Sequence, residues 1–414
     1  MLMMRNIMTQ PVQINSQKLD LTLLLSAIFL CLLGYVMITS ASIDMAALSH
    51  DDAFYQSKRQ LMFILFGGVT LWLCLLIPIQ KWQSYGPLLL LLVALLLAIV
   101  LVPGLGRKVN GSIRWLPIGG FGLQPSELAK LAVVIFIAGY LVRRQTEVRT
   151  QISGFLKSLL VLGVFIVLLL LEPDFGAAVV MMAAVLGMFF LSGMRFLHVI
   201  VVLACTLAIA YQTVRLEPYR LQRWLAYLDP WADPFGSGYQ LTQAQIAFGR
   251  GGWFGEGLGN SIQKLFYLPE AHTDFIFSVL AEELGALGVL VVVALYGIII
   301  TRGMLIGQIA ERLNRLFASY LAYGLVLLIA IQAFINIGVN LGLLPVKGLT
   351  LPFISYGGNS MLACCCSLGI LLRIDLENQQ QIATDVMSGQ SEASLSPDHG
   401  KNIENIQQEV CRDA

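Results

Sequence analysis

The residues best suited to chemistry lie in one segment, GRGGWFGEGLGNSIQKLFYLPEAHTDFIFSVLAEELG, which covers residues 249–285. The segment is rich in glycines, which permit sharp turns and let the backbone approach a ligand closely. Asp274 stands directly before the apolar residues Phe275-Ile276-Phe277. A carboxylate at this point can act as a general base. It can also cap the following helix, as can Thr273, and the two roles do not exclude each other.

Two further pairs of charged residues could support such a site. Glu282 and Glu283 would lie about 12 Å further along a helix that rises ~1.5 Å per residue. Carboxylates within an apolar helix usually face a cavity or a partner. Glu127 and Lys130 form an i,i+3 pair in QPSELAK. This pair can be a structural ion pair or part of the same cavity, and we favour structural support with access to the cavity.

A second polar stretch, KGLTLPFISYGGNS, begins at Lys347 and ends at residue 360. Its proline and paired glycines interrupt a helix near its end, which indicates either a wet cavity or a packing kink. No GxxxxGK[ST] motif is present and no strand precedes the glycine-rich run, so we expect no nucleotide cofactor. The four histidines are scattered, and six of the seven cysteines stand in apolar stretches. We therefore predict neither a histidine metal cluster nor a disulfide framework.

Membrane helices must position these residues. Hydrophobic residues make up 57% of the 414 and charged residues only 12%, with a mean hydropathy of +0.76. A soluble domain carries roughly 25% charged residues. The predicted fold class is an all-α integral membrane protein with about ten transmembrane helices, each close to the ~20 residues that a span needs. The apolar runs lie near 21–41, 60–78, 86–103, 125–142, 155–171, 175–192, 196–214, 275–301, 317–342 and 352–373.

Basic residues in the short loops indicate the orientation. The positive-inside rule places both termini in the cytoplasm and the segment that contains Asp274 on the outer face. Basic residues nevertheless fall in two of the shorter outer loops, where they can bind an anionic ligand or extend to the interface. They are Arg107, Lys108 and Arg114 in 104–124 and Lys347 in 343–351.

The chain divides into a membrane domain and two tails. Residues 1–18 form a polar cytoplasmic N-terminal tail without the pattern of a cleaved signal peptide. The membrane domain covers 19–373 and includes a large outer loop, 215–273, between the seventh and eighth spans. Its many aromatic residues indicate short amphipathic pieces in the headgroup zone. Residues 374–414 are polar and are predicted to form a mostly disordered cytoplasmic tail.

The chain resembles the SEDS family (shape, elongation, division, sporulation), and more closely its division branch. The resemblance covers nearly everything except the tails and rests on four long motifs. These are EPYRLQRW (217–224), DPWADPFGSGYQLTQ (229–243), the segment 249–285 and KGLTLPFISYGGNS (347–360). Two positions depart from the pattern: Phe266 replaces a common acid, and Asn359 replaces a common serine.

The resemblance implies a peptidoglycan glycosyltransferase that polymerises lipid II during septal cell-wall synthesis. The essential acid of the family corresponds to Asp274, and an outer basic position corresponds to Lys347. Asp274 would remove the proton from the acceptor 4-hydroxyl in an inverting displacement. The departing lipid pyrophosphate needs cations, and a divalent ion, Mg²⁺ or Mn²⁺, could assist. The expected substrate-binding residues are Lys108, Arg114, Arg223, Lys347, Glu127 and Lys130.

The resemblance also implies partners and a location. The partners would be a class B penicillin-binding protein (FtsI) and other divisome membrane proteins, with no nucleic acid. The location would be the bacterial inner membrane at the division septum. Two other functions remain open at this point, a lipid II flippase and a non-catalytic divisome scaffold. The one-sided polar cluster argues against a flippase, because a transporter places its site near the midplane.

Overall fold

A computed structural model of the chain describes residues 19–109, 112–118, 121–194, 200–201, 204 and 227–392. The architecture is an α-helical bundle with one small sheet. The helices are α1 (Leu21–His50), α2 (Tyr55–Leu76), α3 (Ile79–Val100), α4 (Pro125–Arg143), α5 (Gln145–Thr150), α6 (Ile152–Leu171), α7 (Phe175–Leu191), α8 (Tyr239–Gly251), α9 (Ile276–Arg312), α10 (Leu316–Asn340) and α11 (Gly358–Glu392). A short 3₁₀ turn covers Pro230–Ala232.

The predicted class, a helical membrane protein, is confirmed. Among the described residues, eight helices are long and apolar enough to cross a membrane, and Phe175–Leu191 is a shorter apolar helix. These nine helices coincide with nine of the ten predicted apolar runs. The remaining run, near 196–214, falls almost entirely outside the described residues, as does the first part of the predicted 215–273 loop.

Burial separates the centre of the bundle from its lipid-facing surface. Helices α4 and α10 are mostly buried, whereas α2 and α3 expose large apolar side chains such as Leu65, Trp72 and Leu91. Exposed apolar side chains of this size suit contact with lipid tails. Helices α4 and α10 therefore lie in the centre of the bundle, and α2 and α3 form part of its surface.

Two local predictions are corrected by the structure. The segment between α3 and α4 forms three antiparallel strands, β1 (Arg107–Val109), β2 (Ser112–Ile118) and β3 (Phe121–Leu123), in the order β1-β2-β3. The prediction of disorder from residue 374 is wrong as far as Glu392, because α11 continues to that residue. Glu377 explains part of this order, since it forms ion pairs with both Arg315 and Arg373.

Helix α9 is broken at Gly285, where φ is 68° and ψ is −168°. The carbonyl groups of Glu282 and Glu283 accept instead from the amides of Glu256 and Gly257, at 2.9 and 3.1 Å. Past the break, the amides of Ala286 and Leu287 donate to the carbonyls of residues 252 and 253, at 2.9 and 3.2 Å. The glycine-rich loop thus satisfies the backbone groups that the break releases.

Candidate active site

A cavity of about 710 Å³ lies at the end of the bundle that carries Asp274. Its wall combines the N-terminal parts of α2, α4, α7 and α11 with the three strands and the loops that precede α9 and α11. Its lining includes apolar side chains such as Phe63 and Phe66 together with charged side chains such as Arg114 and Asp274. The cavity is therefore amphipathic and lies where the bundle meets one membrane surface.

Asp274 lines this cavity and is partly buried. Helix α9 begins after Phe275, which occupies the N-cap position without a side-chain cap bond. The interpretation of Asp274 or Thr273 as a side-chain cap is thus wrong, and the Thr273 hydroxyl donates to Glu270 instead. The Asp274 carboxyl is left to face the cavity.

The electrostatic environment of Asp274 suits a base at neutral pH. Burial raises the pKa of its carboxyl to about 7, and the nearby negative charges of Glu270 and Asp174 act in the same direction. Arg114 opposes them and lowers the pKa. A general base is most effective when its pKa lies near the working pH.

The loop before α11 packs directly against the Asp274 segment. Gly348 has φ +65°, and a Cβ there would lie 3.3 Å from Asp274 Oδ2. The Ser355 hydroxyl donates to the Thr273 carbonyl at 2.6 Å, and the Tyr356 amide donates to the His272 carbonyl at 3.0 Å. The two polar stretches of the sequence, 249–285 and 347–360, therefore meet at this cavity.

Three arginines line the cavity, Arg59 on α2, Arg107 on β1 and Arg114 on β2. Arg114 also donates to the backbone carbonyls of Glu172 and Pro173, so part of its guanidinium holds the sheet against the end of α6. Sequence reasoning misses Arg59. Its only signal in the sequence is a cation at the start of an apolar run.

Three other basic residues that are predicted to bind substrate are Lys347, Lys108 and Arg223. Lys347 is not a lining residue, and its Nζ lies 4.4 Å from the centre of the Phe175 ring. The backbone of Lys108 belongs to β1, but its side chain lies outside the described part. Arg223 also lies outside the described residues.

Glu127 and Lys130 form a buried ion pair, with Lys130 Nζ 2.9 Å from Glu127 Oε1. Glu127 lines the cavity, whereas Lys130 lies behind it. Lys130 also donates to Gln332 Oε1 at 2.5 Å, and Gln332 donates to Thr350 in the cavity wall. The pair thus connects the cavity to the buried helix α10.

Glu282 and Glu283 face partners in the glycine-rich loop rather than the cavity. Glu282 accepts from the amides of Ile262 and Gln263 and from the Ser261 hydroxyl, at 2.5 to 3.2 Å. Glu283 pairs with Lys264 at 2.9 Å. These contacts fix the loop to α9.

The described residues contain no group of three or more histidine, cysteine, aspartate or glutamate side chains that could hold a metal ion.

Comparison with known proteins agrees with the resemblance seen in the motifs. Residues 21–380 match the family described as Cell cycle protein, FtsW/RodA/SpoVE. The chain is 51% identical to the probable peptidoglycan glycosyltransferase FtsW of Pseudomonas fluorescens (strain SBW25), over 92% of this chain and 94% of the relative. It is 54% identical to the protein of that name from Nitrosococcus halophilus (strain Nc4), over 87% of this chain and 93% of the relative.

Solved structures of similar proteins indicate the same family. A chain from "Structural coordination of polymerization and crosslinking by a peptidoglycan synthase complex" has a TM-score of 0.73 and 30% identity, over 87% of this chain and 98% of that chain. The crystal structure of the Thermus thermophilus rod shape determining protein RodA has a TM-score of 0.64 and 28% identity, over 86% of this chain and 96% of that chain. This chain therefore belongs to the FtsW/RodA/SpoVE family of cell cycle proteins, the SEDS family that its motifs indicated.

Proposed function

We propose that this chain is a peptidoglycan glycosyltransferase that polymerises lipid II into glycan strands during septal cell-wall synthesis. The observation that carries the proposal is the placement of the Asp274 carboxyl in an amphipathic cavity at one end of a membrane bundle. Lipid II has a polyprenyl tail, a pyrophosphate and a disaccharide-pentapeptide. The apolar lining residues suit the tail, and the charged lining residues suit the pyrophosphate and the sugar.

In the proposed reaction, ionised Asp274 takes the proton of the acceptor 4-hydroxyl as its oxygen attacks the anomeric carbon of the donor. The new bond forms on the face opposite to the leaving group, so the centre inverts. The bond between the anomeric carbon and the phosphate oxygen breaks, and lipid pyrophosphate leaves. Its developing charge needs cations that are already in place. Arg59, Arg107 and Arg114 line the cavity and supply positive charge there.

The remaining predicted residues take supporting roles in this proposal. Lys347, beside Phe175, would add positive charge near the cavity, and Lys108 and Arg223 stay predictions. Glu127 and Lys130 hold the cavity wall through their ion pair. A Mg²⁺ or Mn²⁺ ion that arrives with the pyrophosphate also stays a proposal, and strand synthesis with and without EDTA tests it.

Strand synthesis by the purified protein tests this function against its rivals. Wild-type protein in detergent, with and without its partner transpeptidase, is incubated with lipid II, and the products are separated by length. A glycosyltransferase makes polymer, and Asp274→Asn slows its synthesis by ~10²–10⁴-fold. A flippase makes no polymer but moves labelled lipid II across vesicle membranes, and a scaffold does neither. Polymer at the wild-type rate from Asp274→Asn would refute the assignment of the base.

The partner and the location extend the same proposal. We infer that the chain works with a class B penicillin-binding protein of the FtsI type and with other divisome membrane proteins. The similarity to a chain of a peptidoglycan synthase complex, which coordinates polymerisation and crosslinking, supports such a partner. The proposed location is the bacterial inner membrane at the septum, with both termini in the cytoplasm and the cavity facing the periplasm.

A further inference from the structure

Two asparagines of α10, Asn336 and Asn340, contact the backbone of Asp274. Both are buried, with 2% and 0% of their surface exposed. Their side-chain amides donate to the same acceptor, the Asp274 carbonyl oxygen, at 2.9 and 3.0 Å. A buried carbonyl that accepts two such bonds has little freedom to move.

Asn340 also holds the first turn of α9. Its Oδ1 accepts from the Ser278 amide at 3.1 Å and from the Ser278 hydroxyl at 2.7 Å. In a regular helix the Ser278 amide would bond to the Asp274 carbonyl, four residues earlier. The Asn340 carboxamide lies between these two groups and bonds to both. The Ser278 amide also bonds to the Phe275 carbonyl at 3.0 Å, and Asp274 lies before the first helical residue, Ile276.

Asn336 joins the same carbonyl to the loop before α11. Its Nδ2 donates to the Leu349 carbonyl at 2.5 Å as well as to the Asp274 carbonyl. Leu349 follows Gly348, the residue whose Cβ position lies 3.3 Å from Asp274 Oδ2. Asn336 thus fixes the distance between the proposed base and the loop that lies against it.

From this geometry we propose that Asn336 and Asn340 are positioning residues, which hold Asp274 in the place where it can accept the substrate proton. The inference rests on the proposed function, because it assigns the two asparagines to the reaction of that base. Neither asparagine is a lining residue of the cavity. Their effect therefore passes through Asp274 and not through a contact with substrate.

The test compares wild-type protein, Asn336→Leu and Asn340→Leu in the lipid II polymerisation assay, in complex with the partner. Leucine is close to asparagine in size but has no donor. A displacement of about 1 Å can cost ~100-fold in rate. We expect kcat to fall tenfold or more, with a much smaller change in KM. We also expect the acidic limb of the pH profile to move to lower pH, since a released carboxyl gains water and moves away from Glu270.

The matched control is Asn378→Leu. Asn378 is also buried, with 1% of its surface exposed, and it bonds to the Ile306 carbonyl and to Arg315. Its replacement should lower Tm but keep kcat per folded protein and the pH profile. Each rate is divided by the amount of monodisperse protein. If the leucine variants do not fold, Asn336→Ala and Asn340→Ala replace them in the same assay.

The outcomes separate this inference from the proposed function. A wild-type kcat and pH profile in the Asn336 and Asn340 variants, with an inactive Asp274→Asn, would overturn the inference alone. The same would follow if the two variants changed only as Asn378→Leu does. An active Asp274→Asn would overturn the proposed function itself. A loss of kcat with a shifted profile supports the positioning role.

Discussion

At the level of single residues, the proposed reaction depends on the ionisation of Asp274. Burial and the neighbouring Glu270 raise the pKa of its carboxyl to about 7. Because only the ionised form accepts a proton, we expect kcat/KM for lipid II to rise with pH between about 6 and 8 and then level off. Initial rates between pH 5.5 and 9 measure this.

Glu270→Gln provides the control for the pH profile. It removes a negative charge that raises the pKa of Asp274, so the midpoint of the profile should move to lower pH. A wild-type profile that stays flat from pH 6 to 8, or has its midpoint near 4, would contradict the assigned environment of the carboxyl.

Glu172, at the end of α6, illustrates a buried carboxyl that has no proposed role in the chemistry. Burial raises its pKa to about 8, and neither carboxyl oxygen has a hydrogen-bond partner among the described residues. The side chain is therefore mostly uncharged at neutral pH. Glu172→Gln, which keeps the shape without the charge, should change the free energy of unfolding by no more than about 0.5 kcal/mol.

The nearby Asp174→Ala is the contrasting variant. Asp174 caps α7 by accepting from the Ala177 amide at 3.2 Å, so its loss should cost about 1 kcal/mol. Thermal unfolding of both variants in detergent gives the comparison. A large drop in Tm for Glu172→Gln would mean that the carboxyl is charged and paired in the folded protein.

At the level of helices and loops, the break in α9 should be intolerant of a side chain. Gly285 has φ +68°, and a Cβ there would lie 2.4 Å from the Gly255 amide nitrogen. Gly285→Ala should therefore lower the free energy of unfolding by about 1–3 kcal/mol. Gly297 lies on the same helix with nothing within 4 Å of its Cβ position, and Gly297→Ala should keep or raise Tm, because alanine favours a helix interior more than glycine does. Equal Tm values for the two variants would contradict the close contact with the loop.

The buried ion pair between Lys264 and Glu283 should matter far more than an exposed one. The two side chains are 4% and 0% exposed, and Lys264→Met leaves the buried Glu283 carboxylate without its cation, although the Ser40 hydroxyl still donates to it. Such a change costs about 3–5 kcal/mol. The exposed pair Lys58–Asp52 is the control, and Lys58→Met should have no measurable effect on Tm. A similar Tm for both variants would show that the loop is not held by this pair.

At the level of the complete bundle, the sequence predicts the spans well because apolar length is a physical requirement of crossing a membrane. It does not predict β1–β3, since strands of three to seven residues depend on pairing with each other. The polar composition after residue 373 predicts disorder, although α11 continues there. Packing and the ion pairs of Glu377 stabilise this part of the helix.

The candidate site is predictable only in part. Asp274 and the two polar stretches are recognisable, because polar residues next to an apolar run are unusual. The roles of Arg59, Asn336 and Asn340 cannot be recognised from the sequence, because one polar residue in a long helix does not indicate which residue it will contact. The meeting of residues so distant in sequence is a property of the packed bundle.

The decisive experiment on the proposed base is the initial rate of glycan strand synthesis by Asp274→Asn, measured beside wild-type protein from pH 6 to 9. Asparagine keeps the size of the side chain but cannot accept the proton. General-base catalysis contributes ~10²–10⁴-fold, so we expect a loss of that order and no remaining dependence on the group with a pKa of about 7. A variant that makes strands at the wild-type rate, with the wild-type pH profile, would show that Asp274 is not the base.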